Sequence, residues 1–345
     1  MFFLAYHMAA VSDTLGRAIR DLRISVTDRC NFRCPYCMPK EAFGPDHPFM
    51  AGSRLMTRAE IGRIVRVFVG AGVEKVRLTG GEPLLRSDLP AIIREIKHGI
   101  GVPDVSLTTN GWFLARQAAA LRAAGLDRLN VSVDALDGAI AGRMNGLGYR
   151  VSRVLDGIDA AAAAGLPIKI NCVLQGGVND GEIIPLCDYF RARGHTLRFI
   201  EFMDVGTTNR WSLSQVVPAR EVVARISAAW PLEALGPAYR GEVASRYRYA
   251  DGRGEIGIVS SVTEPFCRDC NRARLSADGR LFTCLFASEG RDVLGLARSG
   301  AGDAEISSFI AGIWAARSDR YSEERAGLPP AAQASGKIEM SYIGG

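Results

Sequence analysis

Between Asp21 and Met203, six short β-rich runs alternate with amphipathic helical patterns: DLRISVT, KVRLTG, DVSLTTN, RLNVSVD, PIKINCVL and TLRFIEFM. Strands separated by helices pair side by side in parallel, with right-handed crossovers. Thr57 and Glu60 spell a capping box, and Ile61, Ile64, Val65, Phe68 and Val69 follow at helical spacing. Leu89, Ile92, Ile93 and Ile96 form a second stripe. Val151, Val154, Leu155 and Ile158 form a third, with Gly165 where a helix end takes a left-handed residue. Ile183, Leu186, Cys187 and Phe190 form a fourth. A closed barrel needs eight such units. The expected fold is therefore α/β: an open, partial, TIM-like barrel of about six units. Ligands collect at the carboxyl ends of strands in such folds. Cys30, Gly80, Gly81, Asn110, Asp134 and Met203 all fall there.

The 345 residues are 48% hydrophobic and 23% charged, which excludes wholesale disorder. A formal charge of +5 with no long basic run suits a small anionic ligand and argues against nucleic acid. The opening MFFLAYHMAAV is apolar but too short to span a bilayer, and it lacks a signal-peptide layout. Residues 1–13 are expected to be a disordered leader, with Met8 as a candidate start. The expected compartment is the reducing cytoplasm, where eight cysteines do not imply disulfides. After Pro231 the pattern changes to short strand-like pieces (SRYRYA, EIGIVSSV, RARLSADGRLFTC), a helix near Ala304–Arg317 and a linker, AGLPPAAQASG. The expected division is a barrel over 14–235 and an α+β extension over 236–345.

Cys30, Cys34 and Cys37 place three thiols within eight residues, and Pro35 disfavours a regular helix through them. Thiolates hold zinc or iron–sulfur clusters. A structural zinc wants four protein ligands, and His47 is the nearest histidine available as a fourth. A four-iron cluster on three cysteines leaves one iron open to a ligand, with Arg29 and Arg33 placed to offset its charge. Cys267, Cys270 and Cys284 form a second set of three. Arg272 and Arg274 alternate at strand period beside it, so both guanidiniums face one way, which suits a phosphorylated ligand. Taken alone, this set also reads as a small zinc-binding interaction module.

The C-x3-C-x2-C triad after a first strand resembles the signature of the radical S-adenosylmethionine superfamily. The resemblance implies a 4Fe-4S cluster whose open iron chelates S-adenosylmethionine. It further implies Gly81 as the contact to the methionine amino group and Tyr36, Ser132 and Met203 as contacts to the adenosine. LRISVTDRCNFRCPYCMPKE, VRLTGGEPLLR, LTTNG, RFIEFMDVG, CNRARLSADGRLFTCLF and the terminal Gly344-Gly345 together resemble the GTP 3′,8-cyclase family, from about Leu15 to the end of the chain. That resemblance implies a lyase carrying two 4Fe-4S clusters, on Cys30, Cys34 and Cys37 and on Cys267, Cys270 and Cys284. The guanine of GTP would sit on the second. Arg23, Arg77, Thr108, Lys169, Arg272, Ala273 and Arg274 match GTP-contacting positions. Arg272, Arg274, Gly344 and Gly345 match positions that act in turnover.

The implied reaction is removal of hydrogen from the ribose C3′ of GTP by a 5′-deoxyadenosyl radical, followed by attack on guanine C8. The product would be (8S)-3′,8-cyclo-7,8-dihydroguanosine 5′-triphosphate, in molybdenum cofactor biosynthesis. The same resemblance implies a homodimer, a flavodoxin- or ferredoxin-type electron donor, and a downstream cyclic pyranopterin synthase. A peptide-modifying radical enzyme with an auxiliary cluster is the alternative within the superfamily. Cys172 and Cys187 are expected to be inert core residues, and His98 and His195 ordinary surface ones.

Overall fold

The computed structural model describes residues 11–328 and 336–344. Each of the six runs is a strand: β1 (Asp21–Ser25), β2 (Lys75–Thr79), β3 (Asp104–Thr109), β4 (Arg128–Ser132), β5 (Ile168–Leu174) and β6 (Thr196–Glu201). Six helices lie among them: α1 (Arg58–Gly70), α2 (Leu89–Arg94), α3 (Leu114–Ala123), α4 (Gly138–Met144), α5 (Ser152–Ala163) and α6 (Ile183–Ala192). The capping box forms. Thr57 accepts from the Glu60 amide, and the Thr57 amide donates to Glu60 Oε2 at 2.7 Å. Gly165 closes α5 with φ +74°.

Strand period splits the sheet into two faces of opposite chemistry. Leu22, Ile24, Val76, Leu78, Val105, Leu107, Leu129, Val131, Ile170, Leu197 and Phe199 are buried in one core cluster with the helices. Each such side chain, once fully buried, contributes about 1.5–3 kcal/mol. Their neighbours along the strands point the other way and are polar: Arg23, Arg77, Thr108, Ser132, Asn171 and Arg198 all line a cavity. A closed barrel of this class fills its interior with branched aliphatics. Here the inner face carries charge and hydroxyls, so the interior is a binding chamber.

The remainder of the chain adds α7 (Ala219–Ala229), β7 (Leu232–Leu235), β8 (Ser245–Tyr249), β9 (Glu255–Val259), β10 (Arg272–Leu275), β11 (Arg280–Phe282), β12 (Arg291–Asp292), α8 (Val293–Arg298) and α9 (Asp303–Ala315). Its strands join the same sheet, in the order β12-β11-β10-β1-β2-β3-β4-β5-β6-β9-β8-β7. β10 pairs parallel to β1, and β9 parallel to β6. The six expected parallel strands thus become eight. The sheet still does not close, because β9 and β10 each turn outward into an antiparallel ladder.

Of the expected leader, residues 1–10 lie outside the described residues; Asp13, its last residue, is buried and its carboxylate pairs with Arg17 and Arg317. Part of the expected linker, 329–335, also lies outside the described residues.

Candidate active site

The carboxyl ends of the parallel strands open onto a cavity of about 310 Å³ whose wall includes all six cysteines of the two triads. None of the eight cysteines is in a disulfide. Among the described residues no histidine lines the cavity, and no trio of His, Cys, Asp or Glu side chains is close enough to hold a single metal ion. Each site therefore offers three sulfurs and no histidine, with carboxyls, not imidazoles, as the other nearby side-chain donors. That suits a cluster with one open position better than a filled tetrahedral zinc.

The first triad sits in a turn braced by main-chain bonds. The Cys37 and Met38 amides both donate to Cys34 O, at 3.0 and 2.8 Å. Arg33 was expected to balance cluster charge. Its guanidinium donates to Cys30 O at 2.9 Å, Phe32 O at 2.8 Å and Phe43 O at 2.6 Å, and from there its charge still favours the Cys30 thiolate. Arg29 is exposed. His47 packs between the rings of Phe43 and Phe49, away from the sulfurs.

Gly80 and Gly81 let this segment lie against β2. A Cβ on Gly81 would stand 2.2 Å from Arg29 O, and one on Gly80, at φ +148°, 2.4 Å from Thr27 O. Only glycine fits there. Two carboxyls flank the triad. Glu82 accepts from Thr109 Oγ1 and the Asn110 amide, both at 2.7 Å, and burial pushes it up to about 7. Asp134 accepts from Tyr36 Oη at 2.7 Å and the Val173 amide at 2.9 Å, and burial pushes it up to about 6. The thiols answer to the same surroundings: burial, then Glu82, raises Cys30 to about 12, and burial also raises Cys34.

The second triad has cationic surroundings. Arg272 donates to Cys270 Sγ at 3.2 Å. Burial alone would raise the Cys270 thiol, but Arg272 and then Arg317 bring it down to about 6. Arg274 donates to Gly344 O, which draws the chain's tail to the cavity. Gly344, at φ +74°, has no room for a Cβ, which would stand 2.2 Å from Thr79 Cγ2.

Register explains the charge between the triads. Arg274 lies beside Arg23, Arg23 beside Arg77, and Arg77 beside Ser106. Neighbouring strands are about 4.8 Å apart, so three guanidiniums stand in a row. Burial, then Arg77 and Arg274, lowers Arg23 well below its ordinary range. Burial and then Arg272 pull Arg274 down to about 10. Arginine keeps its proton, so these shifts express unrelieved repulsion that a bound anion would quench. The Nε atoms of Arg23, Arg77 and Arg198 and the Thr108 hydroxyl are buried with no hydrogen-bond partner.

Tyr36, Gly81, Ser132, Met203, Arg23, Arg77, Thr108, Arg272 and Arg274 all line this one cavity. Ala273 does not. Strand alternation turns its methyl to the opposite face, fully buried in the core. Lys169 does not either. It lies at the amino end of β5, two residues below Asn171, in a separate depression with Arg128 and His195. Gly345 lies outside the described residues. Arg198 was missed by motif reading. It is held by Asn130, and burial, then Arg77, lowers it to about 9. Its signal was parity: it sits beside Asn171 on the inward face of β6. Cys172 and Cys187 are buried in the core cluster, as expected.

Residues 24–190 match the family model for the radical SAM superfamily, and residues 195–323 that for molybdenum cofactor synthesis C. A GTP 3′,8-cyclase of Acidothermus cellulolyticus is 51% identical over 97% of this chain and 99% of that protein. One from Xanthomonas axonopodis pv. citri is 51% identical over 98% and 99%. One from Staphylococcus saprophyticus is 46% identical over 97% and 99%. Among solved structures, Streptococcus suis SuiB bound to S-adenosylmethionine superposes with a TM-score of 0.61 at 13% identity, over 92% of this chain and 72% of that one, a likeness of fold. These relatives match the chain over almost its whole length, and the chain belongs to the GTP 3′,8-cyclase family.

Proposed function

We propose that this protein is a radical S-adenosylmethionine enzyme that converts GTP to (8S)-3′,8-cyclo-7,8-dihydroguanosine 5′-triphosphate in molybdenum cofactor biosynthesis. One observation carries the reading: two three-cysteine sites share a single chamber with arginines whose buried Nε atoms lack hydrogen-bond partners. Two 4Fe-4S clusters and S-adenosylmethionine, when bound, supply the electron and the carbon radical. The chain's own residues do the rest.

Cys30, Cys34 and Cys37 hold the first cluster, and Cys267, Cys270 and Cys284 the second. Glu82 and Asp134 give the first side two carboxyls whose ionisation burial disfavours and which a cofactor with a cationic sulfonium and ammonium would favour. Gly81, Tyr36, Ser132 and Met203 bind that cofactor. Arg23, Arg77 and Arg198 bind the triphosphate, where fixed cations need no reorganisation. Thr108 supplies a hydroxyl without a partner in the cavity. Arg272 and Arg274 orient the nucleotide beside the second triad, and Arg274 holds Gly344 in place. Lys169, whose charge is disfavoured by burial and then by Arg198, extends the cationic column towards the amino ends of the strands.

Anaerobic reconstitution followed by a GTP-dependent assay for 5′-deoxyadenosine and the cyclised triphosphate tests the reading. No nucleotide-dependent cleavage of S-adenosylmethionine would reject it. A homodimer, a flavodoxin- or ferredoxin-type donor and a cytoplasmic location belong to the same proposal. Among the described residues no helix is long and apolar enough to cross a membrane.

A further inference from the structure

The two triads are anchored differently. Cys30 and Cys34 pack against the hydrophobic core, whereas the turn Cys267–Asp269 buries no residue at all. Cys284 reaches the site from a different segment, just past β11. Something other than apolar packing must hold these three sulfurs in one arrangement.

Three side chains outside the cavity's cysteines and arginine row do so. Asp13, Arg17 and Arg317 have side chains that are 0%, 1% and 1% exposed. Asp13 Oδ2 receives Arg17 Nε at 2.5 Å and Arg317 Nη1 at 3.1 Å. Both guanidiniums also donate to main chain at the second triad, and both reach Asp319, Arg17 Nη1 its carbonyl at 2.9 Å and Arg317 Nε its carboxylate at 3.3 Å. Arg17 Nη1 donates to Cys267 O at 2.7 Å, and Arg317 Nη1 donates to Cys270 O at 2.7 Å. Arg317 Nε donates to Thr283 O at 3.1 Å, one residue before Cys284. All three cysteines are thus gripped through their own or an adjacent carbonyl. The clamp is itself fixed: Trp314 donates to Arg17 O at 2.9 Å and lies beneath the Arg317 guanidinium at 4.6 Å.

We infer that Arg17 and Arg317, paired through Asp13, are positioning residues that pre-set the second cysteine triad for its cluster. The planar fork of arginine suits this task, since one group reaches both a carboxylate and a carbonyl in fixed directions. Partners that orient metal ligands without touching the metal typically govern affinity for it by about 10–100-fold. The inference rests on the reading that the second triad holds a cluster.

The test uses two full-length backgrounds. In one, Cys30, Cys34 and Cys37 are serine, so bound iron and the reduced-cluster EPR signal report the second site alone. In the other, Cys267, Cys270 and Cys284 are serine. Arg317→Met and Asp13→Asn are expected to lower iron affinity by about tenfold or more in the first background. Neither should change iron content in the second. Arg317→Lys, which keeps one donor and the charge, should restore part of the loss. Unchanged second-site iron and EPR line shape in both variants would overturn the inference. So would equal losses in both backgrounds with a matching fall in thermal stability, which would make the clamp a general support of the fold. A parent that holds no iron on Cys267, Cys270 and Cys284 would instead reject the cluster reading on which the inference stands.

Discussion

The first and second cysteine triads have the same number of sulfurs and share one chamber, yet arginines crowd only the second. The first is lined by Glu82 and Asp134, is cradled by main chain and glycine, and has its nearest arginine, Arg33, committed to carbonyls. The second is faced by Arg272, backed by Arg317, and adjoins the Arg274–Arg23–Arg77 row. Thiols on the first side are pushed up; on the second, Cys270 is pulled down, while burial and then Asp319 push Cys284 up to about 12. Under the proposed function the contrast sorts two ligands within one cavity: the cofactor would take the side of Glu82 and Asp134, and the polyanionic nucleotide the side of the arginine row.

Removing Gly344 and Gly345 should have the largest effect. The tail reaches the basic side through Arg274, so turnover should drop to background while both clusters remain. Full activity in the truncated protein would break the assignment of the tail to that side. Gly81→Ala comes next, because its methyl would collide with Arg29 O. Misplacing the first triad by an ångström costs roughly 100-fold in rate. Binding of S-adenosylmethionine should fall with it and GTP binding should persist, as calorimetry with each ligand would show.

Arg77→Met should weaken GTP by about 1.5–3 kcal/mol, the worth of a hydrogen bond to a charged group. Binding of S-adenosylmethionine should be untouched; equal weakening of both ligands would mean the two sides are not electrostatically separate. The mildest test changes no residue. In metal-free protein at about pH 7, iodoacetamide should label Cys270 on the order of tenfold faster than Cys30, since the thiolate is the nucleophile. The sign follows from the shifts: Cys270 ionises as pH rises through about 6, whereas Cys30 waits until about 12. Mass spectrometry of the labelled peptides reads the order.

Much of this was legible in the sequence, because the six strands and the Thr57 cap are local signals. The triads were legible for the same reason. β9 and β10 could be read as strands but not as members of the barrel, since their partners β6 and β1 are distant in the chain. Ala273 entered only through the family resemblance, and strand parity, which puts Arg272 and Arg274 on one face, sends its methyl into the core. Arg198 was overlooked in TLRFIEFM for want of a motif, although its parity with Asn171 marked it. Asp13 was lost in an apolar leader because its partner Arg317 lies near the far end of the sequence.

The pairing of β1 with β10 also sets an order of assembly. During synthesis β1 can find β2 early, but its other edge stays bare until residues 272–275 have been made. A bare edge in a hydrophobic sheet invites pairing with other chains. The portion that carries the first triad is therefore no independent unit, and a ribosome that stalls before the final quarter of the message releases a chain prone to aggregate.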